Sequence, residues 1–409
     1  MASEIILLNV SGQDQPGLMA MLTSQLALYQ VRILDVGQAV IHDELNLGML
    51  VQIMDGTSTG DVLAALESCA RELHVAVRST RVSTSDYKDW IGSQGKPRYI
   101  VTLLAQGFSG GQIAAVTELI SRYGLNIEAI RRLSGRVPLN ATDAQARTSI
   151  EMSLRGNLTN ASALKADLLA SADELVFDFS MQEDTVYRRN RRLVAFDMDS
   201  TLIDAEVINE LASLHGVQEA VSKITDATMR GELDFQRSFS ERARLLNGLP
   251  EAALKQVAES VRLNEGAHRL LRSLKHFGYK TAIISGGFQY VGERLQSELG
   301  IDYVYANTLE IVDGRMTGAV TGEIVDANRK AELLEEIARR ENISLQQTIA
   351  IGDGANDLPM LNRAGLGVAY HAKPVVKETA SHAISNFGLD SVLYLMGFSD
   401  RDIEEALAD

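Results

Sequence analysis

Apolar positions recur in two different rhythms along the chain. Over residues 4–41, "EIILLNVSGQDQPGLMAMLTSQLALYQVRILDVGQAVI", an apolar run gives way to a Gly/Asp/Pro turn, then to apolar residues at helical spacing, then to a second strand. The same order returns about ninety residues later in "RYIVTLLAQGFSGGQIAAVTELISRYGLNIEAIRRLSG". Each copy continues with an alternating strand ("LGMLVQIMD"; "ARTSIEMSLRG"), a helix ("TGDVLAALESCARELH"; "NASALKADLLASA") and a last strand ("VAVRSTRV"; "ELVFDFSMQ"). Residues 1–85 and 97–182 are therefore expected to form two ferredoxin-like βαββαβ sandwiches.

Between the copies, "STSDYKDWIGSQGKPR" is polar, contains Gly and Pro, and reads as a linker. A second boundary falls at "QEDTVYRRNRR", whose four arginines suit a solvated linker better than a basic docking patch. From there the rhythm changes. Over 190–409 apolar strands ("RLVAFDMD", "YKTAIISGG", "YVYANTLEI", "QTIAIGDG", "GLGVAY", "HAISN") alternate with helical stretches, which predicts a parallel sheet with helices on both faces. Several of these strands end in polar or small residues. The carboxyl edge of such a sheet is where ligands bind.

The chemistry concentrates at those strand ends. "LVAFDMDSTLID" drives an apolar run into Asp197, Asp199 and Asp204, and "IGDGANDLPML" puts Asp353 after another, flanked by Gly352 and Gly354 and followed by Asn356 and Asp357. Like charges converging on one edge need a counter-charge. An oxygen-rich, anionic pocket suits a hard divalent cation, Mg²⁺ above all, which takes one or two carboxylates and keeps sites for water and phosphate. Ser285 with the amides of Gly286 and Gly287 offers donors to phosphate oxygens, and Lys330 opens a helix nearby in sequence order. Taken singly, Asp353 or Ser200 caps a helix, "SGG" is a turn and Lys330 is a surface residue. Taken together they describe a phosphoryl-transfer site.

Composition narrows the partners. A net charge of −15 argues against nucleic acid, which demands a basic face. The single cysteine, Cys69, lies in a helical stretch as a small buried apolar residue and implies a reducing compartment. The acidic, short apolar start "MASEIILLNV" does not fit a signal peptide, and no run reaches the roughly 18 apolar residues of a membrane helix. A cytoplasmic protein without membrane contact is expected.

The ordered set Asp197-x-Asp199-x-Thr201, Ser285, Lys330 and Gly352-Asp353-Gly354-x-x-Asp357 resembles the haloacid dehalogenase superfamily. "FDMDSTLIDAE", "GELDFQRSFSERARLLNGLP" and "SGGFQYVGE" are similar to its phosphoserine-hydrolysing branch over about residues 193–395. The resemblance implies a Rossmannoid sheet with a helical cap over about 207–262. It implies that Asp197 is the nucleophile forming an aspartyl-phosphate, that Asp199 is the general acid and base, and that Lys330 and Ser285 bind phosphate. Mg²⁺ would be held by Asp197, by the main-chain carbonyl of Asp199 and by Asp353, with Asp357 and Asn356 supporting that shell. For O-phospho-L-serine as substrate, Glu206 would meet the ammonium and Arg242 the carboxylate, while Met229 and Phe235 would line the cap and Gly286, Gly287 and Asn356 would complete the contacts.

The N-terminal repeat resembles paired ACT domains, modules that bind amino acids and assemble edge to edge. "GQDQPGLMAML" carries the D-x-P-G turn with Asp14 and Gly17; "AQGFSGGQI" lacks its Asp and Pro and keeps Gly107. Regulatory L-serine binding and a homodimer follow as expectations, with dimerisation alone as the alternative. A phosphorylatable receiver, an amino-acid sensor with a decayed catalytic domain, and a phosphatase for another small phosphomonoester are the competing functions.

Overall fold

A computed structural model of the chain describes residues 3–139, 147–229, 232–380 and 382–408. The chain divides into two compact units, Met1–Lys96 and Pro97–Asp409.

In the first unit, strands β1 (Glu4–Gln13), β2 (Arg32–Ile41), β3 (Glu44–Ile53) and β4 (Ala76–Val82) form an antiparallel sheet in the order β2-β3-β1-β4. Period-two patterning decides which face is covered: Leu45, Leu47, Met49, Val51 and Ile53 of β3 are all buried, while the residues between them stay partly or fully exposed. Helices Leu18–Leu28 and Thr59–Glu72 cover that face with Leu18, Leu22, Leu26, Val62, Leu66 and Cys69. Each such leucine contributes roughly 2 kcal/mol relative to an exposed one. The expected linker is in part a helix, Thr84–Ser93. Ser83 accepts a hydrogen bond from the Asp86 amide, and Tyr87 and Trp90 stand one turn apart with ring centroids 5.9 Å from each other. Its polar composition hid an N-cap and a short apolar stripe.

The second unit opens with β5 (Arg98–Ala105), helix Gly110–Arg122, β6 (Leu125–Arg132), β7 (Thr148–Gly156), helix Ala161–Leu175 and β8 (Asp178–Glu183), the same βαββαβ order as the first. After it come β9 (Leu193–Phe196), β10 (Lys280–Phe288), β11 (Tyr303–Val312), β12 (Arg315–Thr321), β13 (Thr348–Gly352), β14 (Leu366–Tyr370) and β15 (His382–Ile384). All eleven lie in one sheet, in the order β12-β11-β10-β9-β13-β14-β15-β8-β5-β7-β6. The seam is a single antiparallel pair, Ala383 with Phe179.

Polar contacts reinforce that seam. Arg188 pairs with Glu151, Arg191 donates to Gln182 Oε1 and to the Thr348 carbonyl, and Asp178 accepts from the Ser385 and Asn386 amides. Arg188 and Arg191 are buried, so this segment is no solvated linker. A buried guanidinium requires partners, and Glu151, Gln182 and main-chain carbonyls supply them.

β9 is buried on both faces, as a central parallel strand must be, and β10 and β13 flank it in register from Lys280 and Thr348 opposite Leu193. Four helices, Val207–His215, Gln218–Met229, Phe235–Arg244 and Ala252–Ser260, fill the expected cap interval.

Candidate active site

The carboxyl ends of β9, β10, β13 and β14 meet at one edge. β9 delivers Asp197 immediately past its last residue. The chain then turns tightly: Thr201, Leu202 and Ile203 all donate main-chain N–H bonds to the Met198 carbonyl, and Ser200 takes a positive φ of 59°. β10 brings Ser285 to the same edge, where its hydroxyl accepts from the Gly287 amide at 3.0 Å. β13 delivers Asp353, which accepts from Thr201 Oγ1 at 3.1 Å.

Lys330 comes from helix Ala327–Arg340, whose N-cap Asp326 accepts from the Arg329 amide. The buried positions of this helix include Lys330, Leu333, Leu334 and Ile337, so the lysine occupies the first place of the apolar stripe and is carried to the interior. It is fully buried, with Nζ 2.9 Å from Asp197 Oδ1 and 2.7 Å from Asp357 Oδ1. Burial alone would discharge it, but the two carboxylates outweigh that and hold its pKa above the ordinary lysine value.

The two oxygens of Asp357 are both engaged, one by Lys330 and the other by the Gly354 amide at 2.9 Å. Asp197 Oδ1 also accepts from the Met198 amide at 2.7 Å. Its Oδ2 makes no hydrogen bond among the described residues. Asp197, Asp353 and Asp357 each offer a carboxylate oxygen, all within 4.8 Å of one another. Burial, then Asp197, then Asp357 push the Asp353 carboxyl up to about 7. Three carboxylate oxygens so close together form a donor set that a divalent cation fits.

Asp199 differs from its neighbour. Burial first, then Glu206 and Asp197, raise its pKa well above the carboxylate range, while Lys330 and the Val207 amide act the other way. Its Oδ1 is buried without a hydrogen-bond partner. The two aspartates of one motif are thus set apart, one paired with a lysine and the other with its carboxyl pKa raised by burial and by neighbouring carboxylates.

Around this centre stand the expected substrate residues. Glu206 accepts from Ser200 Oγ at 2.9 Å; its pKa is raised by burial of the carboxyl group and by Asp197, against Ser200, Arg242 and Lys373. Arg242 is half-buried on helix Phe235–Arg244, within electrostatic reach of Glu206 and Asp199. Phe235 stacks on Phe239 at 6.0 Å, and its ring tip lies 2.9 Å from where a Cβ on Gly286 would stand. A Cβ on Gly287 would meet Asp199 Oδ2 at 2.8 Å, so the bare main chain of this turn lies directly against the Asp199 carboxyl. Asn356 is half-buried beside Gly354. The side chain of Met229 lies outside the described residues.

Two residues escape a motif reading. Asn307, buried midway along β11, donates to the Gly286 carbonyl and accepts from the Val325 amide, both at 2.8 Å, and so fixes the glycine turn. Lys373 precedes helix Pro374–Thr379 and acts electrostatically on Glu206. A polar residue inside the apolar strand "YVYANTLEI" was the available signal for Asn307; Lys373 had none.

In the N-terminal repeats, Gly17 takes a φ of 90° at the N-terminus of helix Leu18–Leu28, which has no side-chain cap, and the Asp14 amide donates to the Asp43 carbonyl. The equivalent helix Gly110–Arg122 follows Gly107, at φ 85°, and is closed by a Ser109–Gln112 capping box. The second copy therefore satisfies its own helix terminus, and the first leaves amides available.

Comparison with known proteins follows this division. The haloacid dehalogenase-like hydrolase family matches residues 194–362 and the ACT domain family residues 4–80. A phosphoserine phosphatase of Streptomyces coelicolor is 41% identical over 99% of this chain and 95% of its own length. Phosphoserine phosphatase SerB2 of Mycobacterium tuberculosis is 38% identical over 98% and 95%. Among solved structures, a HAD family hydrolase from Salmonella enterica serovar Typhi superposes with a TM-score of 0.63 at 33% identity, over 73% of this chain and 98% of that one. A probable phosphoserine phosphatase from Vibrio cholerae gives 0.58 at 33% identity, over 76% and 88%. Among the described residues no helix is long and apolar enough to cross a membrane.

Proposed function

Starting from the chain's membership of the phosphoserine phosphatases within the haloacid dehalogenase-like hydrolases, we propose that it hydrolyses O-phospho-L-serine to L-serine and inorganic phosphate through a phosphorylated Asp197. The carrying observation is the contrast within one turn: Asp197, 2.9 Å from a charged Lys330, beside Asp199, whose pKa is raised by burial and by Glu206 and Asp197.

An Asp197 oxygen attacks phosphorus, and the bond from phosphorus to the serine oxygen breaks. The Asp199 proton passes to that oxygen, so L-serine leaves neutral at its hydroxyl. Water then attacks the phosphorus of the acyl phosphate while the Asp199 carboxylate takes a proton from it, which releases phosphate and restores Asp197. Lys330, Ser285 and the Gly286 and Gly287 amides meet the equatorial oxygens. Asp197, Asp353 and the Asp199 carbonyl would hold Mg²⁺, which would supply the positive charge that offsets repulsion between the carboxylate-rich site and an anionic ester. Glu206 orients the ammonium and Arg242 the carboxylate of the substrate, and Phe235 excludes water over the glycine turn.

The uncapped first turn after Gly17 supports L-serine as a regulatory ligand of the first repeat; the capping box after Gly107 argues against the second. Strand β2 lies at a sheet edge and is exposed along nearly all of its length, as an edge awaiting a second copy would be, and a homodimer is part of the reading. A cytoplasmic location follows from a biosynthetic reaction and the unpaired Cys69.

Phosphate release from O-phospho-L-serine, O-phosphoethanolamine and other phosphomonoesters, with Mg²⁺ or EDTA, tests the function. Metal-dependent release selective for phosphoserine, with the preference over phosphoethanolamine lost in Arg242→Lys, is expected. Equal turnover of both by the native chain would remove the substrate assignment.

A further inference from the structure

We infer a second small-molecule site, for a protonated amine with a flat apolar body, on the open face of the first unit. The sheet of that unit has helices Leu18–Leu28 and Thr59–Glu72 on one side only. On the other side, helix Thr84–Ser93 overhangs a cavity of about 460 Å³, well within the size range of ligand pockets. Its floor is Leu7 and Leu50, directly opposed in the β1–β3 register, and beside them Gly37 and Gly48, directly opposed in the β2–β3 register.

The glycine pair is the telling feature. Neither residue has a positive φ, so no unusual backbone conformation requires it. Neither is crowded: a Cβ on Gly37 would meet nothing within 4 Å, and one on Gly48 nothing nearer than 3.9 Å. Strand interiors favour β-branched residues, and glycine weakens them. Two adjacent glycines with neither a conformational nor a packing reason keep a patch of main chain bare, as a sheet does where a ligand lies against it.

The walls select the ligand. Tyr87 and Trp90 offer ring faces, which attract cations as well as apolar groups. Asp35 and Asp86 stand at the rim; among the described residues neither is paired with a cation, and Asp35 spends one oxygen on the Val36 amide at 2.9 Å. Bare main chain takes a planar ring, the aromatic pair covers it, and the carboxylates take the ammonium. This site lies on the sheet face opposite the helices, and so is separate from the turn at Asp14 and Gly17.

Trp90 is the only tryptophan in the chain and is 40% exposed, so its emission reports on this cavity without a label. The full-length protein would be titrated with 2-phenylethylammonium, with the neutral 2-phenylethanol and with the anionic 3-phenylpropanoate. A saturable change in Trp90 emission is expected for the ammonium, with a midpoint at least about threefold below that of the alcohol, the scale of one exposed ion pair. Gly48→Val, which fills the floor with a strand-favouring side chain, is expected to abolish the response while circular dichroism and the phosphatase rate stay unchanged. Should that variant misfold, the doubly substituted Asp35→Asn, Asp86→Asn protein, altered only at exposed rim positions, is expected to bind the ammonium no better than the alcohol. No saturable change with the ammonium, an undiminished response in folded Gly48→Val, or tighter binding of the carboxylate would overturn the site.

Discussion

Gly287→Ala separates a geometric account of this site from one based on residue types alone. The new Cβ would stand 2.8 Å from Asp199 Oδ2, 2.8 Å from Met198 Cε and 3.2 Å from Ser285 Oγ. Ordinary contact begins near 3.5 Å, so about 0.7 Å must be found. Met198 Cε ends a flexible chain and can turn aside. Asp199 is held by the Val207 amide and by its buried surroundings and cannot turn aside so easily, so the carboxyl proposed as general acid is itself strained from its place. A misplacement of about 1 Å costs on the order of a hundredfold in rate, and kcat for phosphoserine should therefore fall roughly 30- to 100-fold. Overpacking should cost about 1–3 kcal/mol of stability, which a thermal melt would register separately. Gly286→Ala is the control: its Cβ meets the Phe235 ring tip at 2.9 Å and the Val325 carbonyl at 3.6 Å, so the cap residue moves and KM rises while kcat stays within about threefold. A folded Gly287→Ala protein with native kcat would refute the argument.

Three further outcomes follow. Lys330→Met leaves Asp197 and Asp357 buried without their cation; turnover should fall by about 10²–10³, and adding Asp357→Asn should recover part of the lost melting temperature but none of the rate. With Asp353 at about 7, Mg²⁺ must displace a proton at pH 6 but not at pH 8, so its dissociation constant, measured calorimetrically on EDTA-treated protein, should be about tenfold weaker at pH 6. His382, buried against Ser180 Oγ at 2.9 Å, is held to about 3 by burial and by Arg191 and Lys165. The unfolded chain binds its proton first, so stability is full above pH 6.5 and is lost as pH falls toward 3; from pH 7 to 5 the loss is about 2 kcal/mol in urea titrations, and His382→Gln should flatten that slope.

Much of this architecture is legible in the sequence because each feature has a local cause. The repeat declares itself by turn residues and periodicity, and Asp197, Ser285 and Asp353 declare themselves because each follows an apolar run. Lys330 reads as a surface residue from its type, yet its spacing from Leu333, Leu334 and Ile337 already places it on the buried stripe. The helix at Thr84–Ser93 hides behind polar composition, although Ser83 and Asp86 carry its cap. What no local pattern carries is tertiary: the union of β8 with β15 into one sheet, the burial of Arg188 and Arg191 that this union requires, and the hold of Asn307 on the Gly286 carbonyl. Such contacts join residues far apart in the chain, and each partner alone looks ordinary.

Phosphate is proposed to pass through Asp197. Phosphoserine labelled on phosphorus, mixed with the native protein in Mg²⁺ and quenched in acid during turnover, should leave label on the peptide that contains residues 193–204, stable to acid and released by hydroxylamine as an acyl phosphate is. Label on Ser200, Thr201 or Ser285 that resists hydroxylamine, or turnover that survives in Asp197→Asn, would contradict it.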